Sequence, residues 1–143
     1  MIYKKFQDLE LSALGLGCMR LPTVDGQEAV IDEAKTAEMV EYARNQGINY
    51  FDTAWFYHGG NSEIVMGKVL SKYPRESYYL ASKFPGFTPE NLSDPAKIFE
   101  RQLEKCQTTY FDFYLLHSLN RDRVRYYDEH DMWSFIKRKK EEG

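Results

Sequence analysis

Residues 50–63 read YFDTAWFYHGGNSE, and this stretch does most to decide the fold. An apolar run ends here on the carboxylate Asp52, and the phenol of Tyr57 follows five residues later, ahead of two glycines that indicate a loop. Two later apolar runs end in the same way, one on Lys83 and the other on His117. A strand followed directly by a reactive polar side chain, three times over, is typical of a parallel sheet with a site at its carboxyl edge.

The spacing of these polar residues also favours parallel strands. Asp52 and Lys83 are 31 residues apart, and Lys83 and His117 are 34 residues apart, which is about the length of one βα unit. A crossover of that length can join parallel strands in the usual right-handed sense. Both a (β/α)8 barrel and a doubly wound sheet build sites at this edge. The doubly wound alternative lacks its phosphate-binding signature, because Gly15-Leu16-Gly17 is only a fragment of GxGxxG.

Hydrophobic periodicity predicts a β-hairpin near the N-terminus and then four βα units. The predicted strands are Leu14–Gly17, Ile48–Phe51, Tyr78–Ser82 and Phe111–Leu116. The predicted helices are Thr36–Asn45, a helix capped by Ser62 and ending near Lys72, a helix capped by Asp94 that runs from Pro95 to about Gln107, and Met132–Glu142. The last strand is uninterrupted enough to be buried on both faces.

Composition indicates an ordinary globular domain and excludes several partners. The net charge of −3 gives no reason to expect nucleic acid or an anionic membrane as a partner. No apolar run is long enough for a membrane span, and the N-terminus lacks the pattern of a signal peptide, so we expect a cytoplasmic protein. The two cysteines form no metal-binding motif. The charged stretch that contains Arg121, Arg123 and Arg125 is predicted to be a solvated loop.

The four polar groups suit the delivery of a proton to a carbonyl oxygen. A tyrosine phenol is a weak acid near neutral pH, and an adjacent lysine ammonium makes the release of its proton easier. Asp52 would hold Lys83 charged and oriented, and His117 would donate a hydrogen bond to a substrate oxygen. Since no side chain can supply a hydride, a cofactor would have to bring it. Each residue alone also has a structural explanation, so the hypothesis depends on their joint placement.

The chain resembles the aldo/keto reductase family in the sequence around these four residues. The matching patterns are FDTAxxY, which contains Asp52 and Tyr57, ASK, which ends on Lys83, and YLLH, which ends on His117. The sequences GCMRLP and HGGNSE resemble a bacterial subgroup in which some members carry a cysteine-rich, ferredoxin-like tail. Residues 1–143 contain no cysteine-rich stretch of this kind, so no iron–sulfur cluster is expected.

The resemblance implies a TIM (β/α)8 barrel that reduces a small aldehyde or ketone with NADPH or NADH. It implies that Tyr57 is the general acid, that Lys83 and Asp52 tune it, and that His117 orients the carbonyl group. The implied cofactor-binding residues are Cys18, Met19 and Asp52, which would lie against the nicotinamide ribose. No metal is expected.

The resemblance runs from the hairpin to Gly143 and stops after four βα units, whereas a whole barrel typically needs ~250 residues. Residues 1–143 are therefore expected to form a single domain, the N-terminal half of a barrel. A free half barrel exposes two sheet edges and an apolar inner face. We expect it to pair with a second copy or with a missing half, or to be a fragment of a longer protein, and to turn over poorly alone.

Two other functions fit parts of the sequence. A non-catalytic adaptor or regulatory protein could retain this scaffold, since a fold does not determine function. A metal-dependent hydrolase could use Asp52, His58 and His117, but the chain lacks the paired-histidine spacing that such sites usually show.

Overall fold

The computed structural model describes residues 1–143, apart from the side chain of Pro89. The strands are β1 at Tyr3–Phe6, β2 at Leu9–Ser12, β3 at Leu16–Gly17, β4 at Tyr50–Asp52, β5 at Tyr79–Phe84 and β6 at Phe113–Leu116. An antiparallel hairpin is formed by β1 and β2, and the other four strands form a parallel sheet in the order β3, β4, β5, β6. Because spatial order follows sequence order without a reversal, the sheet advances as in a barrel and not as in a doubly wound fold.

Helices alternate with the parallel strands and lie along one side of the sheet. They are α1 at Glu33–Asn45, α2 at Ser62–Leu70, α3 at Pro89–Leu92, α4 at Pro95–Cys106, α5 at Val124–Glu129 and α6 at Met132–Glu142. The predicted start of α4 is confirmed, since the Asp94 carboxylate accepts from the Lys97 N–H at 3.1 Å and Pro95 is the first helical residue. A hairpin followed by four βα repeats is the architecture of part of a TIM barrel, as predicted.

The outer face of the sheet packs against the helices and forms the main core. Phe51 of β4 is 0% exposed and Leu80 of β5 is 1% exposed. The helices α2 and α4 approach each other closely at Gly67, where an added Cβ would lie 2.4 Å from the Lys105 carbonyl oxygen. Glycine is required at this position because any side chain would push the two helices apart.

The inner face of the sheet is only partly covered. Phe113 packs against Tyr50 at 5.3 Å and against Phe6 of the hairpin at 5.8 Å, measured between ring centroids, so the hairpin closes the amino end of this face. Further along β6, Leu115 is 42% exposed. The prediction that this strand is buried on both faces is therefore wrong. Leu115 is the register partner of Lys83, and both point to the side that four strands leave open.

The prediction of a solvated loop around Arg121, Arg123 and Arg125 is wrong in part, because Val124–Glu129 form the helix α5. Tyr127 on this helix is 0% exposed and packs with Phe84 and Met132 in a second core. The sequence analysis missed the burial of Tyr127 because Arg123 and Arg125, on either side of the helix start, make this stretch look like an exposed charged loop.

Helix α1 begins at Glu33, three residues before the predicted start, because the Asp32 carboxylate accepts from the Lys35 N–H at 3.0 Å and caps the helix there. Ser62 is the first residue of α2 and does not cap it, since its hydroxyl donates to the Cys18 carbonyl oxygen at 2.9 Å. Among the described residues, no helix combines the length and the apolar content needed to cross a bilayer.

Candidate active site

Three of the predicted residues reach one edge of the parallel sheet. Asp52 is the last residue of β4, Lys83 is the penultimate residue of β5, and His117 follows directly after β6. The carboxyl ends of parallel strands lie at the same edge, so the strand order alone gathers these side chains. Tyr57 joins them from the loop after β4.

The Lys83 ammonium group is the centre of the site. Its Nζ lies 2.5 Å from Asp52 Oδ1, 2.8 Å from the Thr53 carbonyl oxygen and 3.1 Å from the Tyr57 hydroxyl. An ammonium group has three N–H donors, so these contacts use all of them. The phenol oxygen of Tyr57 accepts one of these hydrogen bonds, which leaves its own O–H free to donate to another molecule.

A tight turn with left-handed backbone holds Tyr57 in place. His58 and Gly59 have φ of 55° and 62° within the 3-10 turn Tyr57–Gly60. The His58 ring secures the turn because its Nε2 accepts from the Leu21 N–H at 2.9 Å and its Nδ1 lies 2.6 Å from the Glu28 carbonyl oxygen. With both ring nitrogens bonded to backbone, His58 is a structural residue.

The metal-hydrolase alternative loses its proposed ligand set as a result, since His58 has no nitrogen left to bind a metal. Over the part of the chain that the structure describes, no group of three or more histidine, cysteine, aspartate or glutamate side chains is arranged to hold a metal ion.

His117 packs edge-on against two aromatic rings. Its imidazole centroid lies 5.9 Å from that of Tyr57, at an interplanar angle of 88°, and 5.3 Å from that of Phe87. The Nδ1 atom is buried without a hydrogen-bond partner among the described residues. A neutral ring protonated on Nε2 leaves only an acceptor unpaired at Nδ1, and it keeps an N–H donor for a substrate oxygen.

The environment of His117 favours its neutral form. Burial lowers the pKa of the imidazole below its usual value, and the positive charge of Lys83 lowers it further. The carboxylate of Asp52 opposes this shift, and the guanidinium of Arg123 adds to it. His117 is therefore set to donate one hydrogen bond as a neutral ring at neutral pH.

This shift predicts a pH dependence of stability. Between the lowered pKa of the folded chain and the unfolded value of ~6.5, the unfolded chain binds more protons. The contribution of His117 to the free energy of unfolding therefore falls as the pH is lowered through that window. In His117→Gln the loss of stability on acidification should be smaller, as measured by urea unfolding at neutral and mildly acidic pH. An identical pH dependence in both proteins would contradict this assignment.

The three predicted cofactor residues differ in accessibility. Met19 is 56% exposed, and the Asp52 side chain is 28% exposed. Cys18 is 0% exposed, and its Sγ donates to the Leu16 carbonyl oxygen at 3.6 Å. Burial and, next, the charge of Asp52 raise the pKa of the Cys18 thiol to about 12, so it stays protonated in the core. Cys18 can face a ligand only through its backbone, and the cofactor role of all three residues stays a prediction.

A buried polar network beside Lys83 was missed by sequence reasoning. Glu63 is 0% exposed, and its Oε1 accepts from Ser82 Oγ at 2.6 Å and from Gln102 Nε2 at 2.5 Å. Lys105 Nζ lies 2.7 Å from Glu63 Oε2, close enough to neutralise the carboxylate although the geometry is not that of a hydrogen bond. Gln102 Nε2 also lies 3.1 Å from the Lys83 carbonyl oxygen.

This network fixes the backbone on both sides of the Lys83 side chain, because it binds the preceding residue and the lysine's own carbonyl group. It extends to β6, where the Tyr114 hydroxyl donates to Gln102 Oε1. Burial, and then the charge of Glu63, raise the pKa of Tyr114 well above its usual value. One feature of the sequence pointed to the network: Glu63 is a charged residue on the same inward helix face as Gly67 and Leu70, so a buried partner was to be expected.

The structure is part of a TIM barrel. Its carboxyl edge carries a Tyr–Lys–Asp cluster and a histidine. The sequence model described as the Aldo/keto reductase family matches residues 13–143. The chain belongs to the aldo/keto reductase family, and the prediction made from the sequence patterns around the four polar residues is confirmed.

Individual relatives agree with this assignment. "Probable aldo-keto reductase 1" of Glycine max is 30% identical over 122 residues, which covers 80% of this chain and 35% of the relative. "NADH-specific methylglyoxal reductase" of Escherichia coli is 33% identical over 98 residues, which covers 68% and 30% respectively. The holo form of the aldo-keto reductase AKR11C1 from Bacillus halodurans superposes with a TM-score of 0.67 at 29% identity, covering 90% of this chain and 46% of that structure. The chain thus spans about a third of these curated relatives and about half of the solved structure.

Proposed function

We propose that this chain carries the proton-donating part of an NAD(P)H-dependent reductase that acts on aldehydes or ketones, with Tyr57 as the general acid. The observation that carries the proposal is the position of the Lys83 Nζ, 2.5 Å from Asp52 Oδ1 and 3.1 Å from the Tyr57 hydroxyl. A cation that donates to the phenol oxygen stabilises the phenolate left behind when Tyr57 gives its proton away.

The chain's own groups account for the binding and protonation of a carbonyl substrate. The oxygen of the substrate would accept hydrogen bonds from the Tyr57 O–H and from the imidazole N–H of His117. Asp52 keeps the Lys83 ammonium in place. Because Lys83 donates to the Tyr57 oxygen, the Tyr57 proton points away from Lys83. As the carbonyl carbon is reduced, the proton moves from the Tyr57 hydroxyl to the substrate oxygen, and the product is an alcohol.

A nicotinamide cofactor fits the surface beside Asp52. Lys83 binds one oxygen of that carboxylate, and the Asp52 side chain stays 28% exposed, so it can accept a hydrogen bond from a ribose hydroxyl. Met19 is 56% exposed and offers an apolar contact next to it. When bound there, the reduced cofactor supplies the hydride. The name of the Escherichia coli relative, an NADH-specific reductase, supports a nicotinamide.

We also propose that a complementary half of the barrel covers the open face of the sheet. In the described sheet, β3 and β6 are both edge strands, and Leu115 lies 42% exposed on the inner face. Further βα units, supplied by the same polypeptide or by a second copy, would cover this face and complete the grip on the cofactor.

The experiment that tests the proposal compares carbonyl-dependent oxidation of NADPH by the native chain and by Tyr57→Phe. Loss of the proton donor should lower turnover about 100-fold or more, since general acid catalysis contributes ~10²–10⁴. Equal activity in both proteins would remove Tyr57 from the mechanism.

Absence of activity in both proteins would favour the second candidate, an adaptor or regulatory role. Light scattering of the same samples gives the assembly that is being assayed. A stable monomer with sharp thermal unfolding would contradict pairing.

A further inference from the structure

The cation of Arg123 lies close to the candidate site, and its effect on the pKa of His117 does not use its hydrogen-bond donors. Arg123 immediately precedes α5, and its guanidinium carbon lies 4.9 Å from the centroid of the Phe87 ring. Phe87 also packs edge-on against His117, at 5.3 Å between ring centroids. The same aromatic ring therefore contacts both the guanidinium and the imidazole.

The helix that follows Arg123 is anchored to the site, so the arginine has a defined position. The Tyr127 hydroxyl donates to the His117 carbonyl oxygen at 2.7 Å, and Tyr127 is 0% exposed. Its ring packs on Gly86, where an added Cβ would lie 2.3 Å from Tyr127 Cε1. The buried tyrosine thus ties α5 to the loops after β5 and β6, and Arg123 stands at the start of that helix.

The charge of Arg123 has no counter-ion in the described part of the chain. None of the carboxylates there lies within ion-pair distance of its guanidinium, although the side chain is only partly exposed. The guanidinium lies over the face of Phe87, and no side-chain hydrogen bond to another described residue uses its fork of N–H donors. A planar guanidinium with free donors is well suited to hold a carboxylate through two hydrogen bonds.

The surface between the cation and the proton donor is aromatic. Phe56 packs on Phe87 at 4.8 Å between centroids, and Phe56 is 39% exposed. A substrate whose carbonyl oxygen meets Tyr57 and His117 would run along these rings toward Arg123. A short carbon chain fits such a wall, and an anionic end would meet the guanidinium.

We propose that Arg123 determines specificity by binding the carboxylate of an oxo acid, so that the site prefers short aldehydes or ketones with a carboxylate end over neutral ones. This inference rests on the proposed function. Arg123 does not touch the reacting atoms, so its removal should change the choice and affinity of the ligand.

The test is a binding measurement on the native chain, which requires no turnover. The probes are 4-oxopentanoate and its neutral counterpart 4-oxopentanamide, titrated separately while the ring resonances of Phe87 and His117 are followed by NMR. The native chain should bind the carboxylate about tenfold more tightly than the amide, as expected for a hydrogen bond to a charged group. The preference should shrink as salt is added.

Three variants make the measurement specific. Arg123→Gln should lose the preference and bind the amide as the native chain does, Arg123→Lys should keep part of it, and the exposed control Arg121→Gln should keep all of it. Preserved ring resonances of Tyr127 show that α5 is still docked in each variant. Equal affinity for the two probes in the native chain, or an unchanged preference in Arg123→Gln, would overturn the inference.

Failure of this inference can be told apart from failure of the proposed function. An Arg123-dependent preference in binding, together with turnover that is insensitive to Tyr57→Phe, would retain the carboxylate site and reject the reductase mechanism. The reverse pair of results would retain the reductase and reject the carboxylate site.

Discussion

Replacing Lys83 with methionine is expected to reduce carbonyl-dependent NADPH oxidation about 100-fold or more. Methionine has similar length and no charge, so it removes the donor to the Tyr57 oxygen and the cation that stabilises the phenolate. The remaining groups would stay, but Tyr57 would no longer present its O–H in one direction. Asp52 would also lose the partner that lies 2.5 Å from its Oδ1.

The measurement is the initial rate at saturating substrate for the native chain, Lys83→Met and a matched control, Lys68→Met. Lys68 also forms an ion pair, 2.6 Å from Glu33, but on the exposed surface away from the sheet edge. Its replacement should leave the rate within about twofold, since exposed pairs contribute little. A Lys83→Met chain that turned over as fast as the control variant would exclude the lysine from the mechanism.

Replacing Glu63 with alanine is expected to lower the free energy of unfolding by about 3 kcal/mol or more, because it removes one partner of a buried ion pair. Lys105, whose side chain is 9% exposed, would be left beside a cavity without its carboxylate. Ser82 and Gln102 would each lose a buried acceptor. Glu63→Gln keeps the acceptor oxygen for these two residues and should cost less.

Urea unfolding of both variants provides the comparison, with Glu33→Ala as the matched control. Glu33 is also an acid paired with a lysine, but its side chain is 52% exposed, so its loss should change stability by less than about 1 kcal/mol. If Glu63→Ala and Glu33→Ala destabilised the chain equally, the buried network would have no special role.

The positions of Asp52, Lys83 and His117 could be predicted from sequence because they follow from strand order. Each residue ends or follows an apolar run, and parallel strands that advance in one direction bring their carboxyl ends to one edge. The contact between Lys83 and Tyr57 required more, since Tyr57 sits on a turn whose shape depends on the left-handed His58. The expectation that these two residues act together came from the resemblance of the sequence patterns FDTAxxY and ASK to the family.

The features that sequence reasoning missed depend on contacts between distant segments. Glu63 accepts a hydrogen bond from Gln102, 39 residues away in the sequence, and no local sequence pattern predicts such a pair. Tyr127 was hidden in a charged stretch, and its burial depends on the space left by Gly86 in another loop. The apolar run of β6 resembled a strand buried on both faces, but its inner face at Leu115 stays open because no further strand covers it in the described sheet.

The transfer of deuterium tests most directly whether Tyr57, Lys83, Asp52 and His117 form the proton-donating site of a carbonyl reductase. The native chain is incubated with a ketone and with NADPH that carries deuterium at both positions of nicotinamide C4, and the alcohol is analysed by mass spectrometry. We predict that the alcohol carries one deuterium on its carbinol carbon and that Tyr57→Phe forms little of it. Formation of the alcohol without deuterium, or equal formation by the native chain and Tyr57→Phe, would contradict the account.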